Sequence, residues 1–192
     1  GLYIYRQASE GNTYLGVIAA SSVDDYMNGV IKVHEQTIAS REEMFTDYLE
    51  HTGFNAEPVL LTYSMIPRIN ELIESYVERR PEYDFTTTNK VLHQLWCIDT
   101  EDDVEEIQRL FRGVKTAYVA DGHHRSASSM LYCHRKRKES MRVEGDEPYN
   151  YFMSFLIDDE QMRIYDYNRL IRDINGLTVE EFIMKVNESY IL

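Results

Sequence analysis

The sequence predicts an α+β domain with a mixed, largely antiparallel sheet and helices packed on it. Two observations lead there. Short β-type runs come in pairs across tight turns: 2–6 with 14–20, 83–88 with 91–98, and 149–157 with 162–167. Between them lie segments with apolar residues at helical spacing, as at Ile69, Leu72, Ile73 and Tyr76. Strands joined by short turns must run antiparallel, so a purely parallel sheet is excluded.

Taken in order, residues 2–6 form a strand, Gly11 and Asn12 turn the chain, and 14–20 return. Ser22 caps a short helix through Asp24, Asp25 and Tyr26. Residues 40–51 form a helix with Met44, Tyr48 and Phe45 on its apolar face, and Thr37 can cap it. A strand at 57–63 leads to a helix in which Ser64 caps and Pro67 sits in the first turn, where its missing N–H costs nothing. Pro81 ends that helix. A hairpin around Asn89 and Lys90 follows. Thr100 caps a helix with Val104, Ile107, Leu110 and Phe111 inward, and Gly113 stops it. Residues 116–120 are a strand, 126–138 a helix, 144–148 an acidic loop and 178–189 a last helix. No repeat or linker interrupts the chain, so 1–192 reads as one domain. It starts on a strand rather than on Met, as expected of a piece of a longer protein.

The 43% hydrophobic content suffices for a core, and the 15 tyrosines suit half-buried sheet positions. The net charge of -13 argues against nucleic acid as a partner, because duplex binding needs an excess of basic side chains. The basic run at 134–138 reads as a solvated helix end. Cys97 and Cys133 match no zinc spacing. No signal peptide and no bilayer-length apolar run is visible, so no membrane partner is expected and the cytoplasm is the expected location.

The strongest chemical signal is Asp121, Gly122, His123, His124 and Arg125, between a strand and a helix. Gly122 lets the backbone approach a ligand closely. The helix start offers unpaired N–H groups and the positive end of its dipole, which favours an anion. Arg125 adds a fork suited to phosphate or carboxylate, and the histidines supply donors or a proton. Ser126 and Ser128 add hydroxyls. Asp121 can cap the helix or hold a cation that accompanies a phosphate. The plain structural alternative is a helix capped by Asp121 with exposed histidines. Two histidines and an arginine exceed what capping requires, so we read a site for a small anionic ligand.

His34 and Glu35 form a weaker signal. Position 38 is Ile, so the HExxH zinc pattern is incomplete, and locally a polar loop suffices. Glu35 can act as a general base or bind a metal. His93 suits either a sheet position or a pocket near Glu35.

Val-Ala-Asp-Gly-His-His-Arg at 119–125, with His-Glu-x-Thr at 34–37, closely resembles a widespread bacterial family of uncharacterised proteins, domain-of-unknown-function family 1015. Further matches are Leu-Tyr-Ile-Tyr-Arg at 2–6, Pro-Val-Leu-Leu-Thr-Tyr at 58–63 and His-Gln-Leu-Trp at 93–96. The resemblance implies a full-length protein about twice this size, with this chain as its central part and a proline-rich stretch before it. The Asp-Gly-His-His-Arg string also resembles the nucleotide-site motif of the ParB and sulfiredoxin-like superfamily, which includes small-molecule kinases and nucleotide hydrolases. That resemblance implies a ParB/sulfiredoxin-like fold and a nucleotide such as ATP or ADP with Mg2+. It implies phosphate contacts from Gly122, His123, His124 and Arg125, with Glu35 as base and Asp121 assisting the cation.

The site expected on these grounds has Glu35, His34 and His124 as catalytic groups. Asp121, Gly122, His123, His124, Arg125, Ser126 and His93 bind the nucleotide or phosphate. The family usually carries Arg after His-Glu-x-Thr, then Lys-Glu and an Asp-Arg pair. Here stand Ile38, Arg41 with Glu42, and Met44 with Phe45, which implies weaker binding of a second anionic group. Three functions follow as expectations: a phosphotransferase or nucleotide hydrolase, a non-catalytic anion-binding domain, and a metal-dependent hydrolase using Glu35 with His34, His93, His123 or His124.

Overall fold

The computed structural model describes residues 1–140, 145–166, 168 and 170–189. These divide into two compact units, Gly1–Met162 and Arg163–Leu192. The first holds eight strands and five helices: β1 (Leu2–Ser9), β2 (Asn12–Ser22), α1 (Val23–Met27), β3 (Ile31–Lys32), α2 (Ala39–Thr52), β4 (Val59–Tyr63), α3 (Pro67–Val77), β5 (Tyr83–Thr86), β6 (Leu92–Ile98), α4 (Glu101–Arg112), β7 (Ala117–Asp121), α5 (His123–Glu139) and β8 (Tyr151–Asp158). The second holds α6 (Val179–Ser189), whose start is a reciprocal capping box between Thr178 and Glu181.

All eight strands join in one sheet, in the order β3-β7-β4-β8-β2-β1-β6-β5. Five of the seven pairings are antiparallel; β3 with β7 and β4 with β8 are parallel. The mixed, antiparallel-dominated sheet with packed helices is therefore present. Registered alternation puts one row of side chains on the same face: Trp96, Ile4, Val17, Leu156, Leu61 and Val119, across six strands. All six are buried. Ile69, Leu72, Ile73 and Tyr76 of α3 and Ile107 of α4 belong to the same apolar cluster. Gly16 is required here, since a Cβ would stand 2.1 Å from the Leu156 carbonyl oxygen on the neighbouring strand.

Four local expectations change. In α2 the one buried side chain is Thr46, while Met44 and Tyr48 are exposed. Thr37 does not cap α2; its hydroxyl donates to the Glu42 carboxylate instead. The basic helix end of α5 does not simply face water. Arg135 reaches Glu43, Asp47 and Glu50 of α2, and Arg137 grips Asp24 of α1 at 2.7 Å. The hairpin expected after β8 is absent. Asp158 accepts hydrogen bonds from the amides of Glu160 and Gln161, which winds a short 3-10 turn, and residues 162–166 carry no strand. Position 167, the end of that expected strand, lies outside the described residues, as does 144 of the expected acidic loop.

Candidate functional site at the mouth of α5

Strand direction explains why distant residues meet here. β3 and β7 are parallel, so the loop after Lys32 and the end of β7 leave the sheet at the same edge. β4 runs antiparallel to β7, so its first residues begin at that edge too. Three segments converge as a result: the loop with His34 and Glu35, the Glu57 and Pro58 pair before β4, and Asp121 to Arg125. The β4–β7 register slips between Leu60 and Leu61, leaving Ala120 unpaired. Such a bulge bends its strand and re-aims the residues after it, which here are Asp121 and Gly122.

Gly122 is the N-cap of α5, left-handed at φ 95°, and no side chain caps that helix start. The first-turn N–H groups thus keep free of a side-chain cap. Asp121 turns back instead, to accept from Arg125 Nη2 at 2.6 Å. Arg125 folds over Gly122, where a Cβ would stand 3.1 Å from its Cζ. Its Nη1 also donates to the Pro58 carbonyl and lies 3.1 Å from the Glu57 carboxylate. The guanidinium is therefore held in place by two carboxylates and a carbonyl.

His123 is 5% exposed. Its Nδ1 lies 3.4 Å from Glu35 Oε2, and the His34 ring packs edge-on at 4.5 Å between centroids. Burial, the largest influence, pushes its pKa below the ordinary imidazole value; the Glu35 and Asp121 carboxylates pull upward, and His34 and His124 push down. His123 is accordingly neutral near pH 7. In the tautomer with the proton on Nδ1, the nitrogen beside the Glu35 carboxylate, Nε2 keeps a lone pair. That Nε2 is buried with no hydrogen-bond partner in the protein, and so is Nδ1 of His124. Buried polar atoms are normally paired, so these two are exceptions that a water or a ligand group would satisfy.

Three expected members are engaged otherwise. Ser126 is buried, and its hydroxyl donates to the His123 carbonyl, back along its own helix. Ser128 likewise bonds back to the His124 carbonyl. His93 lies on β6, separated from β7 by four strands. At about 4.8 Å per strand step that is more than 20 Å. It accepts or donates at 2.5 Å to the Tyr5 hydroxyl and stacks on Phe85. Glu57 and the Pro58 carbonyl were missed by sequence reading, because only the long-range β4–β7 pairing brings them to Arg125.

A family comparison bears on this set, since its match runs over residues 1–192. The chain belongs to the family described as protein of unknown function, DUF1015. Comparison with curated proteins and with solved structures found no match. In this DUF1015 chain the described residues contain no group of three or more His, Cys, Asp or Glu placed to hold a metal ion by themselves. No described helix is long and apolar enough to cross a membrane.

Proposed function

We propose that the mouth of α5 is a phosphate site and that its ligand is a nucleotide carrying Mg2+, as in ParB/sulfiredoxin-like phosphotransferases and nucleotide hydrolases. The observation that carries this reading is the start of α5, left without a side-chain cap, beside the fixed Arg125 guanidinium. A helix N-terminus with an arginine favours an anion.

Charge decides the form of that anion. Glu35, Glu57 and Asp121 bring three carboxylates to the mouth, against the one guanidinium of Arg125. A bare polyphosphate meets net repulsion there. Mg2+ is commonly held by one or two carboxylates together with substrate phosphates, and Asp121 and Glu57 are suitable oxygen donors. Mg2+ would supply neutralisation of the phosphate charge. Releasing those carboxylates from Arg125 frees the guanidinium to turn to the phosphate.

The acid–base pair is Glu35 with His123. Glu35 fixes the Nδ1–H tautomer, and Nε2 takes a proton from an acceptor hydroxyl or water. His124 offers its Nδ1 to the same anion, and His34 packs His123 in place.

Calorimetry of the chain with ADP and ATP, with and without Mg2+, tests this. The expected outcome is binding only with Mg2+, weakened about tenfold or more in Arg125→Ala, the cost of one charge-assisted hydrogen-bonded group. Unchanged affinity in that variant would contradict the assignment. One observation favours a binding domain without turnover. Ile38 and Phe45 stand where the resemblance implies arginines, so a second anionic group lacks partners. Binding with no phosphate released or transferred is the outcome that distinguishes it.

A further inference from the structure

A second feature also includes Arg125. A cavity of about 280 Å3 opens between α2 and α5, with Phe45, Tyr48 and Leu49 as apolar walls and Asn55, Glu57 and Arg125 as polar groups. α2 explains why those apolar side chains are available. Its hold on α5 comes from ion pairs of Arg135 and Lys136 and from the Thr46 hydroxyl bonded to the Ser128 carbonyl, with Thr46 alone buried. Phe45, Tyr48 and Leu49 are thus not consumed by the core.

Arg125 belongs to both places. It covers Gly122 at the helix mouth and touches Glu57 on the cavity wall. A group in the cavity and an anion at the mouth therefore share one guanidinium between them. Whole small-molecule sites span about 300–1,000 Å3, so this space suits one ring system rather than an entire ligand. Aromatic walls stack flat rings, a guanidinium stacks on a ring face, and the Asn55 amide can pair with ring nitrogens and amino groups.

We infer that this cavity is the ring subsite of the same ligand: it takes a planar, nitrogen-bearing heterocycle of nucleobase size, joined to the phosphate held at α5. The inference rests on the phosphate reading above. It adds that Phe45, Tyr48, Leu49 and Asn55, none of them in the catalytic set, decide which phosphate ester is accepted.

The test compares ADP with pyrophosphate, each with Mg2+, by calorimetry on the whole chain. ADP is expected to bind at least about tenfold more tightly than pyrophosphate. Leu49→Trp, which fills the cavity, is expected to remove that advantage and leave pyrophosphate affinity unchanged. Retained pyrophosphate binding shows that the variant is folded. If Leu49→Trp does not fold, Tyr48→Ala is measured instead, with a smaller loss confined to ADP. Equal affinity of the unsubstituted chain for ADP and pyrophosphate overturns the ring subsite alone. So does an ADP advantage that survives the filled cavity. Binding of neither ligand overturns the phosphate reading and this inference with it.

Discussion

Gly122 and His123 carry opposite burdens at the centre of the site. Gly122 must be left-handed and must leave room for the Arg125 guanidinium. Gly122→Ala is expected to destabilise the fold by about 1–2 kcal/mol from the backbone alone, and to displace Arg125 as well. Urea unfolding of both proteins measures the first effect. His123 couples folding to pH. Its folded-state pKa lies below the ordinary 6.5, with burial as the main cause. The folded state therefore binds its proton less readily than the unfolded chain. Its stability contribution is complete above about pH 6.5 and is lost as pH falls from there through the folded-state value. Unfolding curves between pH 8 and pH 5 should show this decline, and His123→Gln should flatten it. A slope that is the same in both proteins would assign the pH dependence to other groups.

At the scale of elements, α2 is the least conventional part. Most helices gain their stability from an apolar face pressed on a core, but α2 leans on carboxylates paired with Arg135 and Lys136. Such pairs are screened by salt. Amide exchange in α2 is expected to quicken in Arg135→Ala and in high salt, with α3 unaffected. Equal exchange across both conditions would show that apolar contacts hold α2 after all. The same contrast marks what the sequence disclosed. α3 and α4 were legible because Ile69, Leu72, Ile73, Tyr76 and Ile107 repeat at helical spacing and all go inward. The hairpins β1–β2 and β5–β6 were legible because their turns are local. α2 misled because Met44 and Tyr48 share that spacing without sharing its cause. The strand expected after β8 failed because Asp158 captures two amides and turns the chain. The string at 121–125 was legible because its chemistry is contiguous. Glu57 was not, because nothing near it in sequence signals β4 lying beside β7. His93 was placed beside Glu35 as one of two readings, and strand order separates them.

At the scale of the whole sheet, the candidate site depends on three loops meeting at one end of the strands. The parallel β3–β7 pair and the antiparallel β4 deliver three loops to one place. Gly16 lies in the same sheet, on β2, against the β8 backbone. Gly16→Ala drives a methyl onto the Leu156 carbonyl, and its cost is expected at or above the roughly 1–3 kcal/mol usual for overpacking. Because β8 pairs with β4, that strain reaches the strand that carries Glu57 to Arg125. The most direct test of the central claim is amide NMR during titration with MgADP. The account predicts the largest, saturating shifts at the amides of Gly122, His123, His124 and Arg125. Saturating shifts elsewhere, with those four amides unmoved, would contradict it.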